Sequence, residues 1–191
     1  MDPYLRRTDV LDFDHPRIAA LARELAGAGA TPTARRMFEW VRDHIAHTGD
    51  AGRDEVTCTA SQVLETGTGF CYAKSHLLVA LLRAAGVRAG LCYQRLSIGE
   101  DVFLLHGIVA VELPEHGWYR IDPRGNGLGI DAQFTPPEES LAHAAGLPGE
   151  WDSREVFADP LPVVERALRR WRQVAELVKG WPDLALPPRA G

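Results

Sequence analysis

Long apolar runs are missing from this sequence of 191 residues. A membrane-spanning helix needs about 20 consecutive apolar residues, and no stretch approaches that length. The first residues, MDPYLRRTDVLDFDHP, carry acids and a proline where a signal peptide needs an uninterrupted apolar segment. We therefore expect a cytoplasmic protein that does not bind membranes.

An excess of basic charge is also missing. Lysine and arginine total 21 against 26 acidic residues, which gives a net charge of −5. Proteins that bind nucleic acid carry a basic patch or stripe, whereas the arginines here alternate with glutamate and apolar residues. Nucleic acid is therefore not an expected partner.

Cysteine is scarce, with three residues. An odd number without an export signal indicates free thiols rather than a disulfide framework. Neither an HExxH nor a Cys-x-x-Cys motif is present, and His44 with His47 would supply only half of a metal site. The sequence predicts no metal and no cofactor.

What the chain does contain is enough apolar sequence for one domain over residues 1–191, since 46% of it is hydrophobic. Apolar spacing predicts a first helix capped by Asp14 and a second, roughly residues 32–47, capped by Thr31. A short helix ending at Gly67 should lead into a helix that starts near Phe70. The first half of the chain therefore reads as helical.

The texture changes after Gly86. The segments VRAGLCYQRLSI, VFLLHGIVAVEL and GWYRIDP are short and rich in β-branched and aromatic residues, as strands are. The last two are joined by PEHG, which is short enough for an antiparallel hairpin. Helices followed by a sheet indicate an α+β fold, with a core over about residues 31–135, a long glycine- and proline-rich loop, and a C-terminal helix over about 160–180.

A thiol stands where the chain changes character in TGTGFCYAKSHLLVALLRAAG, residues 66–86. Before Cys71 the segment is small and glycine-punctuated, and after it the pattern is helical as far as Gly86. A cysteine at a helix start feels unpaired backbone N–H groups and the positive end of the helix dipole. That environment favours the thiolate form.

Two further residues complete a set with chemical meaning. His106 lies in a predicted strand and Asp122 at the end of the next, so the chain offers a thiol, an imidazole and a carboxylate. We expect His106 to take the proton of Cys71 and Asp122 to orient the ring. For His106 to face Asp122 directly, the hairpin must be centred near Pro114, so a bulge or a tighter loop than PEHG is needed.

The remaining candidates are weaker. The Cys71 backbone N–H and the side chain of Gln62 are the candidates to stabilise an oxyanion. Gln94 and Arg95 would line the substrate cleft, although a solvated strand face explains them equally well. Cys58 and Cys92 read as buried structural residues.

Three segments together resemble the bacterial transglutaminase-like superfamily: ARRMFEWVRDHIAHT, GTGFCYAKSHLLVALLRAAGVRAGLCY and LHGIVAVELPEHGWYRIDP. The resemblance covers roughly residues 33–123 and implies a papain-like α+β fold with a Cys-His-Asp triad at Cys71, His106 and Asp122. His106 is followed by Gly-Ile, where many members of that superfamily have Ala-Trp.

The resemblance implies a cysteine-nucleophile enzyme that acts through a Cys71 thioester on a peptide, a protein or a small amide. Hydrolysis is the favoured reaction because nothing in the chain marks a dedicated amine site. Two alternatives stay open: acyl transfer of the arylamine N-acetyltransferase kind, and a non-catalytic peptide-binding module on the same fold. The oligomeric state is not determined by the sequence.

Overall fold

A computed structural model of the chain describes residues 2–189. After a short 3-10 helix over Pro3–Leu5, the first α-helix, α1, spans Pro16–Leu25. Its N-cap is His15 rather than the expected Asp14, and no side chain caps it. Proline opens the helix without loss, because the first N–H groups of a helix have no intrahelical partner.

The second helix, α2, spans Ala30–His44 and so begins and ends earlier than the sequence predicts. Gly29, at φ 107°, is its N-cap, so Thr31 lies inside the first turn and is not the cap. The polar side chain that secures this start is Thr33, whose hydroxyl contacts the carbonyl oxygen of Gly29 at 2.7 Å and accepts from the Gly27 N–H at 2.9 Å.

Short elements then lead to the central helix: β1 (Ala46–His47), α3 (Ala60–Thr66), β2 (Thr68–Gly69) and α4 (Cys71–Ala84). As predicted, α3 ends at Gly67, which takes a left-handed conformation with φ 69°. The two-residue strands β1 and β2 pair in parallel, so His47 lies beside Gly69 at the entrance to α4.

The main sheet is antiparallel, in the order β5-β4-β3-β8. All three strands predicted from the sequence are present, which confirms the α+β class. The strands that follow α4 are β3 (Ala89–Gly99), β4 (Val102–Leu113), β5 (Gly117–Ile121), β6 (Gln133–Thr135), β7 (Glu138–Ser140) and β8 (Trp151–Asp152). The predicted irregular loop after β5 thus contains a small hairpin of its own, β6 with β7.

Helix α4 is the centre of the molecule. It packs against β3 and β4 on one side and against α1, α2 and α3 on the other. The structure therefore buries its whole circumference, where the sequence pattern predicts one broad face. Its buried polar side chains are bonded to backbone: Ser75 donates to the Gly107 carbonyl oxygen at 3.0 Å, and His76 contacts that of Cys58 at 2.8 Å.

The predicted C-terminal helix over 160–180 is wrong as one element, because the structure has two helices, α5 (Pro162–Arg170) and α6 (Val174–Leu177). The backbone is extended at Trp171 and pairs with an earlier segment, since the Arg172 carbonyl accepts from the Val56 N–H at 3.0 Å. A long-range pairing thus overrides helical propensity at this point. Within residues 2–189 we find no helix of a length and apolarity that would span a bilayer.

Candidate active site

Cys71 is the first residue of α4, and its N-cap, Phe70, offers no side-chain hydrogen bond to the helix. The first backbone N–H groups of a helix have no partner within it and point toward any negative charge placed there. Cys71 itself is 6% exposed. The thiol of this buried residue therefore lies beside backbone donors that have no partner within the helix.

Gly107 lets strand β4 approach the start of α4. A Cβ atom at this position would lie 3.0 Å from the Tyr72 Cα atom, which is tighter than ordinary packing. The Gly107 N–H points at the Cys71 Sγ atom, 3.5 Å away. The Gly-Ile that departs from the family's common Ala-Trp thus permits a close contact between nucleophile helix and strand.

His106 and Asp122 meet diagonally across the hairpin. Leu113 pairs with Gly117 and Val109 with Ile121, so the turn has three residues and the register does not shift between these pairs. Continued past Ile121, this register sets Asp122 across from Ile108, two residues from His106 on the same face. The His106 Nε2 atom lies 2.7 Å from the Asp122 Oδ2 atom. The turn is one residue shorter than PEHG. His106 then reaches Asp122 through a diagonal contact rather than a directly opposed one.

Asp122 is completely buried and fully hydrogen-bonded. Besides His106, its carboxylate accepts from the backbone N–H groups of Arg124 and Ala142, each at 3.1 Å. Burial by itself would raise the pKa of Asp122, but the charge of His106 and these hydrogen bonds together lower that pKa below its ordinary value. Asp122 is therefore an ionised acceptor.

The ring of His106 is buried between a carboxylate and a thiol. Burial lowers the pKa of His106, but the charges of Asp122 and Cys71 and hydrogen bonds to both raise it, and the net shift is upward. Because Nε2 faces Asp122, Nδ1 is the ring nitrogen left for the thiol. The arrangement can hold a thiolate beside an imidazolium.

Cys71 and His106 both line a cavity of about 570 Å³. The other lining residues come from the β1 region, the start of α4, the β3–β4 hairpin, the segment after β5, the segment between β7 and β8, and the C-terminal tail. They are His47, Gly49, Phe70, Tyr72, Leu96, Ser97, Ile98, Leu104, Arg124, Ala142, His143, Ala144, Glu150 and Trp181. A substrate of one or two residues' size fits a space of this volume.

An aromatic group forms one wall. The Phe70 ring meets Trp181 edge-to-face, with centroids 5.2 Å apart, and meets His47 in the same manner at 5.6 Å. Trp181 lies beyond the last helix, where the Pro182 carbonyl accepts from the Leu105 N–H at 2.8 Å. The chain's C-terminal segment therefore helps to build the cavity beside the catalytic candidates.

The ring of His143 packs edge-on against the ring of His106. The two rings meet at 86° with centroids 5.0 Å apart. Burial and the nearby charge of His106 lower the pKa of His143 below its ordinary value. A neutral ring can thus shield the bond between His106 and Asp122 from water.

Sequence reasoning missed His143, Trp181, His47 and Arg124. The first two lie in irregular segments whose position is decided by long-range contacts, so no local pattern marks them. The side chain of His47 is 13% exposed and lines the cavity. His44 instead stacks on Trp40. The pair is not arranged as half of a metal site.

Gln62 does not lie in the cavity. Its side-chain oxygen accepts from the N–H groups of Cys58 and Thr59 at 3.0 and 3.2 Å, and the Thr59 hydroxyl accepts from the Gln62 N–H. This reciprocal pattern is a capping box at the start of α3. The expectation of a Gln62 oxyanion donor is therefore wrong in this structure, and the Cys71 backbone N–H stays the candidate.

Gln94 and Arg95 do not line the cavity either. Gln94 is buried, and its amide donates to the His143 carbonyl oxygen at 3.3 Å. Arg95 forms a two-pronged ion pair with Asp183 at 2.6 and 2.8 Å and lies over the Phe103 ring. Both side chains hold parts of the wall in place. The expectation that they line the substrate cleft is therefore wrong.

The other two cysteines are free and buried, in keeping with a structural role. Burial raises the pKa of Cys58 to about 11 and that of Cys92 to about 12. Among residues 2–189, no group of three His, Cys, Asp or Glu side chains is arranged to hold a metal ion.

Comparisons with known proteins bear on the family and the fold. A model of the transglutaminase-like superfamily matches residues 19–123. The crystal structure of a candidate cysteine protease from Cytophaga hutchinsonii shares the fold, with a TM-score of 0.51 at 16% identity over 64% of this chain and 41% of that chain. The periplasmic domain of TgpA from Pseudomonas aeruginosa is 26% identical over 64% of this chain and 49% of that chain, with a TM-score of 0.48.

The chain thus spans less than half the length of either of these solved chains. A search among curated proteins returns no match. The family model covers more than half of the sequence, including Cys71, His106 and Asp122. The chain therefore belongs to the transglutaminase-like superfamily.

Proposed function

We propose that this protein is a cysteine hydrolase that cleaves an amide or peptide bond through a thioester on Cys71. The observation that carries the proposal is the placement of His106 between the Cys71 thiol and the buried Asp122 carboxylate, at the wall of a cavity. A thiolate, a base and a group that orients the base are the parts that nucleophilic catalysis needs.

In the first half of the reaction, the Cys71 thiolate attacks the carbonyl carbon and the oxygen takes the displaced electron pair. The oxyanion faces the N–H groups at the start of α4. When the intermediate collapses, the carbon–nitrogen bond breaks and the His106 imidazolium gives its proton to the leaving amine. The products of this half are a free amine and a Cys71 thioester.

In the second half, neutral His106 takes a proton from water as the water attacks the thioester. The carbon–sulfur bond breaks, a carboxylic acid leaves, and the thiolate–imidazolium pair is restored. Asp122 stays ionised and holds the ring, because its own pKa is lowered. An amine in place of water would give acyl transfer with the same residues.

The test is turnover of a panel of peptide and small amide substrates by the wild type, by Cys71→Ala and by the matched control Cys92→Ala. We expect wild-type and Cys92→Ala protein to release amine and acid, and Cys71→Ala to lose at least about 1,000-fold in rate, as removal of a nucleophile does. Activity should survive chelators. Loss of turnover in EDTA with recovery in zinc would contradict the proposal.

The products separate the alternatives. Mass spectrometry with an added amine detects acyl transfer, and an acetyl-coenzyme A donor detects arylamine N-acetyltransferase-like chemistry. Peptide binding that is equal in the wild type and Cys71→Ala, without turnover, would favour a binding module. The proposed partner is thus a peptide, a protein or a small amide.

A cytoplasmic location is a further proposal, which rests on the sequence.

A further inference from the structure

The cavity over Cys71 has two unlike halves, and the register of the sheet separates them. Leu104 lies two residues from His106, on the same face of β4 and nearer the tip of the β3–β4 hairpin. Leu96 of β3 lies directly across from Leu104. In the opposite direction along β4 come Ile108 and, diagonal to His106, Asp122. His106 therefore stands at the boundary between an apolar half and a polar half.

The apolar half is built from large side chains. Leu96 and Leu104 form the floor, and Ile98 continues it toward the hairpin tip with 52% of its surface exposed. Phe70, which directly precedes the nucleophile, and Trp181 stand against each other at 85°. These five side chains offer a substrate dispersion contacts and a surface from which water is released.

The polar half holds His143, Ala142 and Arg124. The guanidinium of Arg124 is already paired with both carboxylate oxygens of Asp50, at 2.7 and 3.0 Å. This half surrounds the His106–Asp122 bond, because the Ala142 N–H donates to Asp122 and the His143 ring covers His106.

Glu150, the one carboxylate among residues 2–189 that lines the cavity, is also already hydrogen-bonded within the protein. Its oxygens accept from the backbone N–H groups of Ser97, Gly146 and Leu147 at 2.8 to 2.9 Å. A side chain satisfied by three backbone donors gains little from a cationic substrate. With Arg124 paired as well, neither Arg124 nor Glu150 is left to select a charged group on a substrate.

The chemistry gives the two halves different roles. His106 must protonate the leaving amine, so the leaving group lies on the histidine side, toward His143. The acyl group stays bonded to Cys71 and extends along the side that Phe70 and Trp181 form. We propose that the cavity selects substrates whose acyl side chain is large and apolar, with Phe70, Leu104 and Trp181 as the determinants, an inference that rests on the proposed function.

Trp181 reaches this position through a strap, which we define as residues 181–184. Pro182 pairs with Leu105 of β4, Asp183 with Arg95, and the Leu184 carbonyl accepts from the Trp151 indole N–H at 3.0 Å. Arg95 is therefore a positioning residue for the apolar pocket.

The experiment uses irreversible probes, so that it does not depend on turnover. Chloromethyl ketones of phenylalanine, leucine, aspartate and lysine carry one common blocking group, and each alkylates a cysteine with loss of chloride. The rate of Cys71 modification is followed by mass spectrometry and divided by the rate with iodoacetamide, which has no side chain to recognise. We expect the apolar probes to react at least about tenfold faster than the charged ones.

Variants locate the pocket. Trp181→Ala should lose most of the apolar preference when each probe rate is divided by that variant's own iodoacetamide rate, and Arg95→Met should lose part of it. The matched control is Trp118→Ala, which removes a tryptophan that packs on Tyr4. Ile98→Lys, at an exposed rim position that tolerates the change, should raise the relative rate of the aspartate probe. A gained preference cannot come from misfolding.

Equal rates with charged and apolar probes would overturn the inference, as would an equal loss of preference in Trp118→Ala and Trp181→Ala. If Trp181→Ala does not fold, Ile98→Lys decides, and an unchanged aspartate rate there also overturns it. An apolar preference that follows Trp181, in a protein that turns over no amide, would support the acyl pocket and contradict the proposed hydrolysis.

Discussion

Two features of the folded chain favour the thiolate form of Cys71. The start of α4 supplies unpaired N–H groups, and the raised pKa of His106 keeps a positive charge beside the sulfur. Cys58 and Cys92 have neither, and burial raises the pKa of each. We therefore expect the three thiols to differ in reactivity.

This difference predicts selective alkylation. At pH 6, iodoacetamide should modify Cys71 before Cys58 or Cys92, because burial raises the pKa of the latter two thiols and neither of them lines the cavity. His106→Ala should lower the rate of Cys71 alkylation at pH 6, and Asp122→Ala should lower it less, since Asp122 acts only through the ring. Mass spectrometry of the three cysteines over a time course of labelling measures this. Equal labelling, or no change in His106→Ala, would make Cys71 an ordinary thiol.

The same pair predicts how stability depends on pH. The pKa of His106 is raised by folding, so its contribution is complete below the unfolded value of about 6.5 and is lost as pH rises toward the folded pKa. The pKa of Asp122 is lowered, so its contribution is complete above about 3.9 and is lost as pH falls through the folded pKa. The pair therefore stabilises most between these limits.

We expect the difference in unfolding free energy between wild type and His106→Gln to shrink by at least about 1 kcal/mol from pH 6.5 to pH 9, roughly the equivalent of one pKa unit. Urea titrations at each pH measure it. His44→Gln, at an exposed histidine outside the cavity, is the control. A difference that stays constant across this range would show that folding does not stabilise the imidazolium.

At the scale of elements, the contact between α4 and β4 brings Cys71 to His106. The sequence predicted a helix at Cys71 and a strand at His106 correctly, because both patterns are local and periodic. It did not predict that Gly107 lies against Tyr72, since that contact joins segments more than 30 residues apart. The helix and the strand can each be predicted from local sequence, but the distance between them in the fold cannot.

Gly107→Ala tests this contact. The added Cβ atom would meet the Tyr72 Cα atom at 3.0 Å, so helix and strand must move apart by a few tenths of an ångström. We expect the rate of Cys71 alkylation at pH 6 to fall several-fold, because near-contact geometry controls such reactions. Gly99→Ala is the matched control, since a Cβ atom there meets nothing within 4 Å. Equal rates in both variants would contradict the role of Gly107.

At the scale of the whole molecule, the C-terminal strap joins the tail to the sheet beside the cavity. Trp181 contacts Phe70, and Asp183 pairs with Arg95, whose side chain is 11% exposed. The core of the domain and the C-terminal tail therefore meet at one wall of the cavity. The family model, which matches residues 19–123, does not include this strap.

Hydrogen exchange should report the strap directly. The Leu105 N–H donates to the Pro182 carbonyl, so Asp183→Ala should speed exchange at Leu105 several-fold by loosening the strap. The amide of Val109, inside the pairing of β4 with β5, should be unchanged and serves as the internal control. Unchanged exchange at Leu105 would mean that the ion pair does not hold the strap.

The sequence by itself determined the helices, the three main strands, the α+β class and the trio of Cys71, His106 and Asp122. These depend on local periodicity, turn residues and residue type, all of which are readable along the chain. The tertiary structure decided the diagonal register of His106 and Asp122, the break after α5, the capping role of Gln62 and the cavity wall of His143 and Trp181. Those features are set by contacts between distant segments, whose free energy no local pattern contains.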